Sequence, residues 1–314
     1  MNWPKIRQFV RIGGMILGLL IFLYLFFSSL HDFFSSPIKV KFNLGLLLLS
    51  FLLYVLVYLS QMVNLKLIYA SLNSIIDTKN VIKGFSFSFL SKYIPGYVWG
   101  YFTRGAWFEK QNGIKVGRSW VASTIEIFVT IITGFTMVIE FLLWEKGEYI
   151  LLFFIFLLTP TIGLVILVLS NKYIFPKLAK WELGKNHISI LYWLMIYSNS
   201  MLQWILLGVS LSLLSKASGL NDTTSFGSIF WSIYAFARSW LTGFLVFIVP
   251  NGIGVREFIL KDLLLVELGI SSSQATLIST IARLTLFVAE FFWVLVAFVI
   301  DQRENHKDNP NVLL

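Results

Sequence analysis

Residues 92–114, KYIPGYVWGYFTRGAWFEKQNGI, interrupt an apolar chain with a proline, four glycines and several charges. Residues 247–269, FIVPNGIGVREFILKDLLLVELG, have the same character. Proline breaks the hydrogen-bond ladder of a helix and bare charges are costly in hydrocarbon, so neither stretch can be a uniform helix facing lipid. We predict that Val81 to Phe108 dips into a membrane and returns as a re-entrant hairpin; the alternative is an ordinary span with a proline kink. For residues 247–269 the nearby loop charges do not decide between crossing and re-entry.

The composition around these stretches is that of a membrane protein. Hydrophobic residues make up 57% of the 314 residues and charged residues only 13%, about half the charged fraction of soluble proteins. There is no cysteine, which excludes disulfides, thiolate catalysis and Cys-ligated metal sites. The net charge of +9 lies in short loops between apolar runs, where it faces anionic lipid. No nucleic acid partner is therefore expected.

Seven uncharged or nearly uncharged runs are long enough to cross a bilayer core of about 30 Å as helices. They are Ile12–Leu30, Leu44–Tyr69, Ser119–Leu143, Tyr149–Ser170, Ser189–Leu214, Phe226–Val249 and Ser273–Ile300. The predicted fold class is all-α: a polytopic helical membrane protein with 7 to 8 transmembrane helices and one or two re-entrant or broken segments. Residues 1–300 would form one membrane domain, and residues 301–314 a short polar tail.

Lys and Arg counts orient these spans, because basic loops stay on the cytoplasmic side. The N-terminal tail has three, residues 70–118 have seven and residues 171–188 have four, whereas the alternate loops together have four. We therefore predict a multi-pass plasma-membrane protein with a cytoplasmic N-terminus, provided that Val81 to Phe108 does not cross. The mixed charges after Ile300 leave the side of the C-terminus open.

The two irregular stretches belong to a predicted internal repeat with a spacing of 156 residues. Gly113-Ile114 matches Gly269-Ile270, and Ser123-Thr124-Ile125 matches Ser279-Thr280-Ile281. The helix breaks also correspond when one gap is allowed: Pro95 and Gly96 in the first stretch, and Pro250, Gly252 and Gly254 in the second. Paired broken helices in two halves are typical of transporter substrate sites, so we expect the site to lie between them.

Ionisable residues inside spans are costly and need partners or a wet cavity. Five qualify: Glu126, Glu140, Arg238, Arg283 and Glu290. Glu126 and Arg283 occupy nearly equivalent positions in the two units, so we predict an ion pair between them. The alternative is that such charges only join helices, and this is the interpretation that we favour for Glu140.

The charges near the helix breaks are predominantly cationic, which favours the phosphate of a lipid headgroup as ligand. The predicted substrate-binding residues are Lys92, Arg104, Glu126, Arg256, Glu257 and Arg283. Lys92 has an alternative role, in which its long side chain reaches the membrane interface.

Motifs of several enzyme classes are missing. The sequence has no HExxH, no GxSxG and no Walker A motif, and its three histidines lie in loops or tails. We therefore expect no catalytic residue, no metal and no cofactor, and a protein that is not an enzyme. An intramembrane transferase with Glu126 or Glu257 as base is the enzymatic alternative left open.

The segments KYIPGYVWGYFTRGAWFEKQNGI, SWVASTIE and PNGIGVREFILKDLL resemble the transmembrane region of lysylphosphatidylglycerol synthases. That region defines a flippase-like family, which also includes stand-alone proteins and proteins joined to glycosyltransferases. The resemblance implies a protein that moves lipids with modified headgroups between leaflets. It places functional positions at Pro95, Gly96, Arg104, Glu126, Pro250, Gly252, Gly254, Arg256 and Glu257.

One departure from the synthases is that nothing after Ile300 matches their cytoplasmic aminoacyl-transferase domain, so synthesis of the lysyl-lipid is not expected. The expected ligand is a membrane lipid, either an aminoacylated phospholipid or a polyprenyl-phosphate-linked sugar. The alternative function is that of a membrane partner that presents a lipid-linked substrate to a separate glycosyltransferase.

Overall fold

The computed structural model describes residues 20, 23–24, 27, 31, 43–93, 98–169, 189–219, 225–246, 252 and 254–308. Over residues 43–308 the described parts form nine α-helices: α1 (Leu44–Ser71), α2 (Thr78–Ser88), α3 (Val98–Asn112), α4 (Val116–Glu145), α5 (Tyr149–Leu169), α6 (Ile190–Ala217), α7 (Phe226–Leu245), α8 (Val255–Glu267) and α9 (Ser272–Asp308). A short 3₁₀ helix, Leu90–Tyr93, follows α2. The predicted all-helical membrane class is confirmed.

Five of these helices are long and apolar enough to cross a membrane: α1, α4, α5, α6 and α9. Each corresponds to a predicted span. The predicted span Ile12–Leu30 lies mostly outside the described residues. The helix that corresponds to the predicted span Phe226–Val249 is not among the five.

Helices α1 and α6 form the central antiparallel pair. Ser50 and Ser210 each donate a side-chain hydrogen bond to the backbone carbonyl of the other, at 3.0 and 2.9 Å. At the start of α1, the backbone N–H of Asn43 donates to the carbonyl of Ala217 at 3.1 Å. Small polar residues let membrane helices approach closely and join them by hydrogen bonds. This pairing defines the Ala217 end of the bundle, where α1 begins and α6 ends.

Helices α2 and α3 form a hairpin that enters and leaves the bundle at one end. Arg118, after the hairpin, donates to the hydroxyl of Ser74, before it, at 2.8 Å. With 11 and 15 residues, the arms are about 16 and 22 Å long, too short for a hydrocarbon core of about 30 Å. The predicted re-entrant hairpin is confirmed, and the kinked-span alternative is wrong. The base of hairpin 1 (α2 and α3) defines the Arg118 end.

Helices α7 and α8 form hairpin 2, which opens at the other end. The indole N–H of Trp231, near the start of α7, donates to Glu267 at the end of α8 at 2.7 Å. Trp144, at the end of α4, packs on Phe226. The chain therefore returns to the Ala217 end after α8. The stretch predicted as the span Phe226–Val249 forms one arm of this hairpin as far as it is described, and its 20 helical residues are about 30 Å long.

The two halves of the bundle have inverted topology. Helix α1, hairpin 1 and α4 form one unit, and α6, hairpin 2 and α9 repeat this order in the opposite direction across the antiparallel α1–α6 pair. The turns before α4 and α9 carry the same left-handed glycine, with φ of 64° at Gly113 and 63° at Gly269. Glycine adopts this region without steric penalty. The predicted repeat is therefore present, and its two hairpins enter from opposite ends.

The end of α9 is fastened to hairpin 1. The ammonium group of Lys83 lies 2.5 Å from Glu304 and 3.5 Å from Asp301, and Lys79 lies 3.3 Å from Glu304. Helix α9 thus continues beyond Ile300, the predicted limit of the span, as far as Asp308. Residues 301–304 lie at the Arg118 end, on the same side as the basic loop that was predicted to be cytoplasmic.

Candidate functional site

The two hairpins meet around one cavity of about 210 Å³ inside the bundle. Its walls come from both hairpins and from α1, α4, α6 and α9. All six predicted binding residues line it: Lys92, Arg104, Glu126, Arg256, Glu257 and Arg283. The structure therefore brings together side chains that are up to 191 residues apart, as Lys92 and Arg283 are.

Arg104 of α3 and Glu126 of α4 form an ion pair within the first unit. Arg104 is only 4% exposed, and both of its terminal nitrogens donate to the carboxylate, so that the pair is bidentate. The second terminal nitrogen also donates to the hydroxyl of Ser123 at 3.3 Å. Planar, two-pronged pairing is the geometry in which arginine binds carboxylates most specifically. The carboxylate of Glu126 thus forms its ion pair with Arg104 of the same unit.

Glu257 of α8 and Arg283 of α9 form the corresponding pair of the second unit. The Nε atom of Arg283 lies 3.3 Å from one carboxylate oxygen of Glu257. The other oxygen accepts the backbone N–H of Gly254 at 2.5 Å and so caps the start of α8. The predicted Glu126 to Arg283 pair is wrong. Each hairpin arm packs on the span that follows it, and the opposite charge that it needs lies on that span.

These two ion pairs have reversed polarity. In the first unit the hairpin supplies the cation and the span supplies the anion; in the second unit the hairpin supplies the anion and the span the cation. The inverted repeat thus keeps the interaction while it exchanges the charges. Each pair joins a re-entrant arm to a long helix at the wall of the cavity.

Lys92 makes the third ion pair, and its partner belongs to the other unit. The ammonium nitrogen lies 2.5 Å from Glu290 of α9 and 4.6 Å from the ring centre of Phe89. The hydroxyls of Tyr58 and Tyr93 also donate to Glu290, at 2.5 and 2.6 Å. The ammonium of Lys92 therefore does not reach out to the membrane interface. Its partner Glu290 was not among the predicted site residues, although its position inside a span, seven residues after Arg283, was the available signal.

Arg256 reaches the cavity from the first turn of α8. Its guanidinium lies 5.1 Å from the ring centre of Trp240, a cation–π contact. Its side chain also packs on Gly243 and Gly252, where an added Cβ would collide with it.

Gly252 has a φ of 64° and Gly254 a φ of 82°, so both are true breaks in the helical path. The predicted breaks Pro95, Gly96 and Pro250 lie outside the described residues.

The charges around the cavity do not cancel. Its described lining has four cations, Lys92, Arg104, Arg256 and Arg283, and two carboxylates, Glu126 and Glu257. Glu290 behind Lys92 adds a third negative charge. Among these described residues the cations therefore outnumber the carboxylates by one. Arg238, by contrast, lies outside this lining and pairs with Glu267 at 3.4 Å, with its side chain 48% exposed.

A family model described as "Lysylphosphatidylglycerol synthase TM region" matches residues 13–293. No curated protein matches the chain, and no solved structure matches it.

Proposed function

The chain belongs to the family of the lysylphosphatidylglycerol synthase TM region, and on this premise we propose that it binds and translocates a membrane lipid with a modified headgroup. Membership indicates a membrane protein with a lipid-related function. The observation that carries the finer proposal is the cavity between the two hairpins, where four cations meet three carboxylates. The headgroup would enter this cavity while the acyl chains remain in the surrounding lipid.

The charges match the two proposed classes of lipid. Aminoacylated phospholipids and polyprenyl-phosphate-linked sugars both carry a phosphate, for which guanidinium groups are preferred partners. Carboxylates such as Glu126 and Glu257 could balance the arginines or hold an amino or hydroxyl group of the same headgroup. In this proposal no bond of the lipid is made or broken, so the protein acts as a translocator and not as an enzyme.

The inverted repeat supports movement as well as binding. Transporters with inverted repeats expose a central site alternately to the two sides by rocking one unit against the other. Here the two hairpins enter from opposite ends and meet at the cavity. We propose that hairpin 1 and hairpin 2 form the two gates, and that the Arg118 end faces the cytoplasm of a bacterial or archaeal plasma membrane, in agreement with its basic loops.

A liposome assay tests the proposal. The purified full chain is reconstituted with fluorescent phosphatidylglycerol, lysylphosphatidylglycerol or a polyprenyl-phosphate sugar, and loss of outer-leaflet fluorescence to a membrane-impermeant quencher is followed. We expect the chain to expose inner-leaflet lipid of at least one class faster than protein-free liposomes do. The control variant Arg238→Gln, outside the cavity, should retain the rate.

The opposite result would favour another role. If none of the three lipids moves, although the reconstituted chain is folded and inserted, the translocator proposal is wrong. Presentation of a lipid-linked substrate to a separate glycosyltransferase would then be the better interpretation. Formation of a new lipid product that is lost in Glu126→Gln or Glu257→Gln would instead indicate an intramembrane transferase.

A further inference from the structure

Glu140 of α4 is buried in the bundle without a partner. It is only 7% exposed, and its Oε1 atom makes no hydrogen bond within the described residues. In the part of the chain that the structure describes, the carboxyl also forms no ion pair, in contrast to Glu126, Glu257 and Glu290. The role expected for Glu140, to join helices through its charge, requires a partner that these residues do not supply.

Uncharged hydroxyl groups lie beside Glu140. Thr136 precedes it by one turn on the same face of α4, and its side-chain oxygen is 3.4 Å from the hydroxyl of Tyr197 of α6. That hydroxyl is 2.7 Å from the side-chain oxygen of Thr159 of α5. Tyr197 is the titratable group on which Glu140 acts electrostatically, and a tyrosine is neutral at physiological pH.

The helices that pack on α4 bring no cation to Glu140. From α7, Tyr234 stacks on Phe141, the residue next to Glu140, with 4.4 Å between the ring centres. The charged residues of these helices and of α4 itself are engaged elsewhere or exposed. Those that are engaged are Arg104 with Glu126, Arg238 with Glu267, Lys66 with Thr78 and Arg118 with Ser74; those that are exposed are Glu109, Lys110, Glu145 and Lys216.

A carboxyl in such surroundings favours its neutral form. An isolated carboxylate ion costs far more free energy to remove from water than the neutral acid, so a buried carboxyl without a cation takes up a proton. A metal ion fits less well, since Ca²⁺ and Mg²⁺ need about six oxygen ligands, and the hydroxyls of Thr136 and Thr159 already donate within their own helices. The described parts of the chain also hold no group of three or more His, Cys, Asp or Glu residues that could bind a metal.

We propose that Glu140 is a proton-binding site, and that the bound proton holds hairpin 2 against α4. The site is separate from the lining of the cavity. It lies five residues before the end of α4, which is about 7.5 Å of helix, so the proton comes from the Ala217 end. When the proton leaves, the carboxylate needs water, and separation of α4 from α7 at the Phe141–Tyr234 stack admits it.

This inference goes beyond the binding of a lipid. Hairpin 2 is the proposed gate at the Ala217 end, so in a translocator the proton on Glu140 links the opening of that gate to the pH on this side of the membrane. The proton site itself does not depend on movement of any lipid.

The first test is the pH dependence of unfolding of the purified full chain in an uncharged detergent. An exposed glutamate ionises at about pH 4.3, whereas Glu140→Gln is neutral at every pH. The unfolded chain therefore releases a proton that the folded bundle retains, so the stability of the wild type should fall as the pH rises through this range. Relative to Glu140→Gln, its midpoint of thermal unfolding should fall by about 2 °C per pH unit. Glu148→Gln, the same change at an exposed position between α4 and α5, should follow the wild type.

The second test follows hairpin 2 through a cysteine in place of Ser232 of α7. Ser232 is buried, at 3% exposure, and the native chain has no cysteine, so reaction of Ser232→Cys with a water-soluble maleimide reports opening of the hairpin. Between about pH 6 and about pH 8, the reaction rate should rise about fivefold more with Glu140 present than in the Glu140→Gln background. The comparison cancels the ionisation of the thiol itself.

Several results would overturn the proposal. An equal pH dependence of unfolding in the wild type and Glu140→Gln would remove the proton site, and equal cysteine reaction rates in the two backgrounds would remove its link with hairpin 2. If Glu140→Gln does not fold, Glu140→Met replaces it; failure of both neutral variants to fold would show that the charge is needed. A midpoint that rises with sodium at constant ionic strength, only with Glu140 present, would assign the site to a metal ion.

Neither measurement uses a lipid substrate, so the outcome is independent of the liposome assay. A chain that gives both expected results but moves no lipid would retain the proton site and lose the translocator proposal.

Discussion

The ammonium nitrogen of Lys92 lies 2.5 Å from the carboxylate of Glu290, 198 residues later in the chain. This contact differs from the other two ion pairs of the cavity, because it joins hairpin 1 of the first unit to helix α9 of the second. Two tyrosine hydroxyls complete the coordination of Glu290. Glu290 therefore joins hairpin 1 to the second unit near the cavity, in addition to the contacts of Lys83 with the end of α9.

Replacement of Glu290 should destabilise the protein. In Glu290→Gln the Lys92 ammonium loses its countercharge. Because the Lys92 side chain is 24% exposed, the cost should lie below the roughly 3–5 kcal/mol of breaking a fully buried pair from one side. We expect a lower midpoint of thermal unfolding in detergent. The lipid-facing change Val288→Ala, on the same helix, serves as the control and should have little effect. The double variant Lys92→Met, Glu290→Met should lose less stability than the sum of the losses in the single variants Lys92→Met and Glu290→Met. If the loss in the double variant equals that sum, the two side chains do not interact.

The fold should tolerate an exchange of the two charged residues of the Arg104–Glu126 pair. Glu126→Gln should lower the free energy of unfolding by roughly 3–5 kcal/mol, because it leaves the buried charge of Arg104 alone. Arg104→Gln should cost less, because the Glu126 side chain is 17% exposed. The exchange Arg104→Glu with Glu126→Arg should recover at least half of that loss, because the second unit already holds this contact with the charges reversed. Unfolding midpoints of the four proteins measure the recovery. An exchanged protein as unstable as the single variants would mean that the two pairs are not equivalent.

Labelling of single introduced cysteines can show on which side of the membrane each position lies, because the native sequence has no cysteine. We expect cysteines at the exposed positions Lys79, Lys115 and Arg303 to react with a membrane-impermeant maleimide from the same side of sealed vesicles. Cysteines at Lys146 and Ser271 should react from the other side. The reason is that Lys79 lies in the first turn of hairpin 1, Lys115 follows the hairpin, and α9 ends beside its base. Labelling of the first two positions from opposite sides would show that the hairpin crosses.

Gly208 of α6 allows close contact with α7. A Cβ atom at this position would lie only 2.6 Å from backbone atoms of Ile233, which cannot move as a flexible side chain could. We therefore expect Gly208→Ala to force the two helices apart and to destabilise the protein by roughly 1–3 kcal/mol, the usual cost of overpacking. Thermal unfolding tests this. Gly45→Ala near the exposed start of α1, where the nearest atom is a side-chain oxygen at 3.3 Å, is the matched control; an equal effect of both changes would rule out the contact as the cause.

The sequence by itself predicted the membrane class, five of the crossing helices, the re-entrant path of hairpin 1 and the repeat. These features depend on local chemistry: the length of apolar runs, the breaks caused by proline and glycine, and the cost of charges in lipid. The six predicted binding residues also meet at one cavity, because a charge inside an apolar span needs a partner or a wet cavity, and here the broken segments provide both.

Only the tertiary structure decided which charges are partners. Glu126 and Arg283 occupy similar places in the two units and were predicted to pair, yet each binds the neighbouring hairpin arm of its own unit. Only the fold could assign Glu290 to Lys92 and make α7 the arm of a hairpin. Hydropathy and spacing specify how deep a residue lies and on which face of its own helix, but an ion pair forms over about 3 Å, and that distance depends on how separate helices pack.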